Sequence, residues 1–304
     1  MSSIVVAGSL NVDIALRAAK IPAPGETVRG GDLVIGPGGK GLNQAIAAAR
    51  LGASVSIVGC VGDDSHSQIP LEALSLANVN VDHVHVSKDR PTGTALIVIE
   101  RASGQNAIAV AGGANGHLST AHIGAAQKLI ANADVLLVQL EAPEATVEAA
   151  LHVAGSHGTI RILDPAPYRP IGDRLLTQVD FLTPNEREAS QLAMFDVHDP
   201  ESAARAGKRI RERTDAAVLI TLGEKGCLWV CAEGETLIEA PAVPALDTTG
   251  AGDAFCGALA VELASGKSTE AAIARAVIAG AASTMGRGAA ASMPTASELA
   301  EFGA

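Results

Sequence analysis

Aromatic side chains are almost missing from this chain: one Trp, one Tyr and four Phe in 304 residues, 2% of the whole. So few rings exclude a base-stacking platform for single-stranded nucleic acid. Positive charge is also short, with 22 Lys and Arg against 33 Asp and Glu and a formal net charge of −11. That balance argues against nucleic acid or an anionic membrane as a main partner, because both require a basic surface. It leaves nucleotide binding open, since helix ends and loop amides hold phosphates locally. The four cysteines, at 60, 227, 231 and 256, form no CxxC pair and no Cys/His cluster at zinc spacing. They read as packed, reduced thiols, which points to the cytosol. The N-terminus shows no basic stretch leading into an apolar run and a cleavage site, and no apolar segment reaches membrane-spanning length. A cytoplasmic protein is the expectation.

What the chain does have is apolar content, 48% hydrophobic against 18% charged residues, enough for a full core in a single domain spanning 1–304. A short apolar strand over 4–8 opens it. A helix is expected over 43–51, closed by Gly52, followed by a strand over 55–60. From residue 119 onward strands and helices alternate, with strands expected at 135–140, 160–163, 181–182, 217–221 and 227–231 and a long Ala-rich helix over 271–285. Near-continuous apolar strands between helices imply a parallel sheet covered on both faces, a three-layer α/β/α sandwich. Two segments do not fit that rhythm. Residues 14–35 lack helical periodicity and carry Pro22, Pro24, Gly25, Gly30 and Gly31, and 94–100 with 105–110 flank Ser103-Gly104 as a hairpin. Together, over about 14–35 and 91–111, they read as a discontinuous β lid over a cleft at the strand C-termini.

Two glycine-containing stretches suggest nucleotide motifs on different grounds. Gly36-Pro37-Gly38-Gly39-Lys40-Gly41 fits GxGxxG and precedes a helix, with Asp63 about twenty residues on. A dinucleotide oxidoreductase is disfavoured, because that fingerprint sits on the opening strand of its fold and here the opening strand ends at Gly8. Ser265-Gly266-Lys267-Ser268 resembles a P-loop, but Val261 stands at the required upstream glycine and the segment follows a helix. Gly266 reads as a helix end. The 36–43 loop makes better sense as a dense set of donors, glycine amides with Lys40 and Asn43, for a polyhydroxylated ligand whose buried hydroxyls must all be paired. Asn11, Asp13 and Glu141 fall at strand ends and could join it.

The most informative segment is Leu246-Asp247-Thr248-Thr249-Gly250-Ala251-Gly252-Asp253-Ala254-Phe255. Ala254, Phe255, Ala258, Leu259 and Leu263 recur at helix spacing, so the glycines stand at a helix start. Unpaired N–H groups and the positive end of the dipole there suit phosphate. A carboxylate beside such an anion needs a reason, and the one offered by chemistry is a base that takes the proton of an alcohol attacking phosphorus.

These residues together resemble the PfkB carbohydrate kinase family. The likeness runs through Gly8-Ser9-Leu10-Asn11-Val12-Asp13, Pro24-Gly25-Glu26-Thr27, Gly38-Gly39-Lys40-Gly41-Leu42-Asn43-Gln44 and Thr92-Gly93-Thr94-Ala95. It continues through Gln139-Leu140-Glu141, Asp164-Pro165-Ala166-Pro167, Thr183-Pro184-Asn185-Glu186 and Thr221-Leu222-Gly223 to the 247–253 segment. The resemblance implies ATP-dependent phosphorylation of a free pentose, D-ribose, at its 5-hydroxyl. It puts Asn11, Asp13, Gly39, Lys40, Gly41, Asn43 and Glu141 around the sugar, Asp253 as base, and Gly250, Ala251 and Gly252 as the anion hole. Asn185, with Glu188, would organise Mg²⁺ largely through water, and Thr221, Gly223, Gly226 and Val277 would border the nucleotide with Asn185 and Gly252. Asp247, Thr249, Ser283, Gly286, Gly288 and Ser292 would hold a monovalent cation, K⁺. Leu42 stands where a smaller residue is common, which would narrow the sugar pocket, and Val277 where a polar residue is expected near adenine. A homodimer joined through the lid follows from the lid's exposed edges. The alternatives are a family kinase for deoxyribose, fructose or adenosine, and a non-catalytic sugar- or nucleotide-binding protein on the same scaffold.

Overall fold

The computed structural model describes residues 2–302. Its strands are β1 (Ser3–Ala7), β2 (Asn11–Ala18), β3 (Gly30–Gly38), β4 (Ser54–Gly62), β5 (Asn80–Ser87), β6 (Gly93–Glu100), β7 (Asn106–Ala111), β8 (Val135–Gln139), β9 (Ile160–Asp164), β10 (Phe181–Leu182), β11 (Ala217–Thr221), β12 (Cys227–Cys231) and β13 (Gly234–Ile238). The helices are α1 (Lys40–Arg50), α2 (Gln68–Leu76), α3 (Thr120–Ala125), α4 (Gln127–Ala131), α5 (Glu144–Gly155), α6 (Asp173–Leu176), α7 (Glu186–Ala193), α8 (Pro200–Arg211), α9 (Ala251–Ala264), α10 (Thr269–Ser283) and α11 (Ala296–Glu301).

Side-chain alternation along the strands splits the core in two. On β1, Val5 and Ala7 pack with Leu136 and Val138 against α3 to α8. Ile4 and Val6 pack with Val135 and Leu137 against α1, α2, α9, α10 and α11. A strand apolar on both faces needs cover on both, and the result is the three-layer α/β/α sandwich. The central sheet runs β13-β12-β11-β10-β9-β8-β1-β4-β5. It is parallel from β5 to β11. The last two strands run antiparallel, because the connection 222–226 is too short for a parallel crossover.

The segments expected to form the insertion make a separate sheet, β3-β2-β6-β7. Its β2–β6 pair is parallel and its outer pairs antiparallel. Asp13 stands opposite Gly36 on one side and Ala95 on the other. This sheet grows directly out of β1 through 8–10 and returns through the glycine cluster into α1, so both of its roots lie at the C-terminal edge of the central strands. No helix among the described residues is long and apolar enough to cross a membrane.

Candidate active site

Lys40, Asn43 and Gln44 share one face of α1, at positions i, i+3 and i+4, and all three reach carboxylates. Asn43 Nδ2 donates to Asp253 Oδ2 at 2.9 Å. Gln44 Nε2 donates to Asp253 Oδ1 at 3.1 Å and to Asp164 Oδ2 at 2.9 Å. Lys40 Nζ lies 3.1 Å from Asp164 Oδ2 and 3.6 Å from Asp253 Oδ1. Gln44 Oε1 in turn accepts from Gln139 Nε2 at 2.6 Å. Glu141, just past β8, accepts from Ser9 Oγ and from the Lys40 amide at 3.1 Å. Asp164 ends β9 and Asp253 stands in the first turn of α9, so the ends of two central strands, β8 and β9, and the first turns of α1 and α9 meet around Lys40.

The electrostatics follow from that crowding. Burial pushes the Lys40 ammonium down, but Asp164, Asp253, Glu141 and Glu188 outweigh it and hold the group well above its ordinary value. Burial pushes Asp164 up to about 7, against the pull of Lys40 and with help from the Asp253 and Glu188 charges. Asp13 is raised to about 6, first by burial, then by Glu141 and Asp253. Burial also raises Glu188, although its hydrogen bond with the Asn185 amide and the Lys40 charge oppose the rise.

Asp13 gives a test of this field. Its proton is held to about pH 6 in the folded chain, against an ordinary value of 3.8. The folded state therefore binds more protons than the unfolded one between those values, and stability falls as pH rises through that window. Asp13→Asn removes the penalty. Melting of the ligand-free protein at pH 8 is expected to show the variant more stable by about 1–3 kcal/mol, with the gap closing towards pH 4. A variant less stable than the parent at pH 8 contradicts the electrostatic account.

Gly250 starts α9 with φ 84°. A Cβ there would come within 2.9 Å of the Ala289 side chain and 3.0 Å of its Cα, so both conformation and space require glycine. Among the described residues nothing accepts from the N–H groups of Gly252 and Asp253, while the Ala251 N–H turns back to Thr248 O at 3.2 Å. The open donors at this helix start are thus those of 250, 252 and 253.

The glycine cluster works differently from the expectation. The amides of 40–43 are spent inside the protein: Lys40 on Glu141, Gly41 on Ser9 Oγ at 3.3 Å, Leu42 on Ser9 O at 3.0 Å and Asn43 on Gly39 O at 2.9 Å. Gly39, φ 97°, would bring a Cβ within 2.9 Å of Asn11 N and Ser9 O, so it allows α1 to begin against the end of β1. The donors left for a ligand are side chains and the N–H of Gly39. Leu42 is buried in the core with Leu10 and Val61, so it lines no sugar pocket. Val277 is buried on α10, 5% exposed. Asn11 is buried, its Oδ1 accepting from Asn115 Nδ2 at 2.7 Å.

Asn185 caps α7. Its side chain accepts from Glu188 N, and the Glu188 carboxylate accepts from Asn185 N, both at 2.9 Å. A backbone bridge ties Asn185 to Thr221, and Gly223 and Gly226 shape the turn that follows. Asp247 folds the cation-loop residues around itself. Its Oδ1 accepts from Thr249 N at 3.0 Å and Thr249 Oγ1 at 2.6 Å, and its Oδ2 from Gly288 N at 3.0 Å. Burial pushes this carboxyl up, but those donors hold it below its ordinary value. Ser292 Oγ bonds Gly288 O at 2.5 Å, and Gly286 N bonds Ser283 O at 3.3 Å.

A cavity of about 1100 Å³ lies between the small sheet, α1, α2 and the loops 245–249 and 287–291. Asp13 and Thr249 line it. Asp253 is 4% exposed. Gln44, Gln139, Asp164 and Ser9 are the site residues that motif reasoning did not assign. The spacing of Gln44 from Lys40 and Asn43 is the signal that could have found the first of them.

This fold, with a carboxylate one turn into a glycine-started helix, is that of a sugar kinase scaffold, and the chain belongs to the pfkB family of carbohydrate kinases, whose family model matches residues 1–296. Among its relatives, the ribokinase of Haemophilus influenzae is 38% identical over 301 residues, 99% of this chain and 98% of that protein. The ribokinase of Bacillus subtilis is 40% identical over 302 residues, 99% of each. A solved structure of Arabidopsis thaliana ribokinase complexed with ribose and ATP superposes with a TM-score of 0.91 at 32% identity, covering 99% of both chains.

Proposed function

We propose that this chain is an ATP-dependent ribokinase that transfers the γ-phosphoryl group of ATP to the 5-hydroxyl of D-ribose, giving D-ribose 5-phosphate and ADP. The observation that carries this reading is the setting of Asp253. Its carboxylate is fixed by Asn43 on one oxygen and by Gln44 and Lys40 on the other, one turn inside a helix whose Gly252 and Asp253 amides are open. The acceptor O5 attacks phosphorus in line, the O5–P bond forms as the bond to the β,γ-bridging oxygen breaks, and that electron pair leaves with ADP. The O5 proton passes to Asp253. The amides of the Gly250–Gly252 segment and of Asp253, with that of Ala251 now turned to Thr248 O, face the charge on the transferring group. Asn43 Oδ1, buried and without a partner, accepts from a sugar hydroxyl, and Asp13, Gly39 to Gly41 and Glu141 complete the sugar's surroundings.

Two ions fit the residues present. Asn185 and Glu188, an amide and a carboxylate at the start of α7, suit a Mg²⁺ held through water. Oxygens of Asp247, Thr249, Ser283, Gly286, Gly288 and Ser292, with no nitrogen or sulfur donor, suit a hard monovalent cation such as K⁺. When bound, Mg²⁺ neutralises phosphate charge and K⁺ fixes the dipoles of the 247–252 loop. The small sheet is read as a lid that excludes water from the reaction. Leu33, Ile35 and Leu96, exposed on the face opposite the cavity-lining Val34 and Ile108, together with the open edges of β3 and β7, support pairing of lids in a homodimer; a cytoplasmic location is the reading of the chain's reduced thiols.

The test is ADP release from Mg-ATP with D-ribose, 2-deoxyribose, fructose and adenosine as acceptors, with and without K⁺. Ribose is expected to give the highest kcat/KM and K⁺ to raise its turnover. Preference for another acceptor defeats the substrate assignment, and binding without turnover defeats the enzyme.

A further inference from the structure

Gln44 holds the central carboxylate of the chemistry above and Gln139 holds Gln44, yet neither takes part in the proton transfer. Both side chains are fully buried. Gln44 has two N–H bonds on Nε2 and uses them on two carboxylates, Asp253 Oδ1 and Asp164 Oδ2. Turning that amide over would aim a carbonyl at both acids, so its orientation is fixed by charge. The carbonyl then faces Gln139, whose Nε2 donates to it at 2.6 Å. Gln139 Oε1 is left without a partner and lies 2.0 Å from where a Cβ on Gly8 would stand. Leaving an acceptor orphaned in the core has a cost, and what it secures is the direction of the Gln44 amide.

The consequence falls on Asp253. Oδ1 takes Gln44 and, at 3.6 Å, Lys40, whereas Oδ2 takes one donor, Asn43. A carboxylate oxygen has two lone pairs, so Oδ2 is the oxygen with room for a further donor, and it lies beside the unpartnered Asn43 Oδ1. Resting on Asp253 as the base, we infer that Gln44, oriented by Gln139, is a positioning residue that locks Oδ1 and so presents Oδ2 to the acceptor hydroxyl. Its partner Gln139 acts one bond further away, through the same amide.

The test uses Gln44→Met and Gln139→Met, which keep volume and remove the amide. For each, kcat per titrated active site, KM for ribose and for ATP, and the melting temperature are measured. A lost hydrogen bond to a charged group predicts a fall in kcat of about 10–100-fold for Gln44→Met. For Gln139→Met, where Gln44 keeps its donors but loses its anchor, a fall of about 3–10-fold is expected. Both KM values should stay within about threefold of the parent. A merely structural role would lower the melting temperature or the fraction of active sites and leave kcat per site unchanged. That result in Gln44→Met overturns the inference, as does a KM rise that accounts for the whole loss. If Gln44→Met does not fold, Gln139→Met decides by the same criteria. The parent reading is separable: an active Asp253→Asn removes the base itself, whereas an inactive Asp253→Asn beside a fully active Gln44→Met removes only the positioning role.

Discussion

Asp253→Asn is expected to lose about 10²- to 10⁴-fold in kcat, the range that general-base help supplies, while keeping its fold. The structure gives the reason for both halves. The new amide would meet two donors, Asn43 Nδ2 and Gln44 Nε2. Asn43 Oδ1 is a buried acceptor with no partner, so rotating the Asn43 amide satisfies the new N–H. One negative charge also leaves a cluster in which Asp253 raises the carboxyls of Asp13, Asp164 and Glu188. The variant should therefore melt at or above the parent's temperature. The residual rate reflects positioning and phosphate contacts, which do not depend on the base. Steady-state kinetics with a melting curve on the same preparation check it. A kcat near the parent's defeats the base assignment, and a collapsed melting temperature would mean that the rate loss says nothing about proton transfer.

Lys40→Met carries the largest expected effect on stability. Lys40 is 27% exposed, while the two carboxylates it faces are 6% exposed. Removing one partner of a fully buried pair costs about 3–5 kcal/mol. With the ammonium partly in solvent the expected loss is about 2–3 kcal/mol, or roughly 5–10 °C in Tm. The loss should depend on pH with a definite sign. Asp164 already holds its proton to about pH 7, and without Lys40 it holds it more tightly. Below that range the acid is neutral and misses the cation little. Above it an unpaired charge stays buried. The gap between variant and parent should widen from pH 6 to pH 9. A gap that is constant or narrows over that range would mean that Lys40 acts through packing alone.

The sandwich was legible because its inner strands, such as Val135–Gln139 and Ala217–Thr221, are apolar on both faces and separated by helix-length segments. β5 and β13 were not. Asn80–Ser87 carries His83 and His85 among its valines, and Gly234–Ile238 is exposed for most of its length. Both are outer strands whose pairing, not composition, makes them strands. Ahead of α2, Asp64 caps the short turn Ser65–Ser67 with its side chain. In the site, Asp253, Lys40 and Asn43 could be named from the chain because each belongs to a glycine-rich motif. Gln139 and Asp164 lie 95 and 120 residues beyond Gln44, and only the sheet order β9-β8-β1 brings them to it. That Leu42 and Val277 turn into the core was hidden for a related reason, since one sequence position does not say which face of a helix meets the core.

The most direct measurement of the central claim compares ADP release from Mg-ATP in the presence of D-ribose and of 5-deoxy-D-ribose, which offers the same ring hydroxyls and lacks only the 5-hydroxyl. The account predicts turnover with ribose, a phosphate on carbon 5 of the product, and none above background with the deoxy sugar, which should still compete with ribose for the site. Equal ADP release with both sugars, or a phosphate on any other carbon, would contradict it.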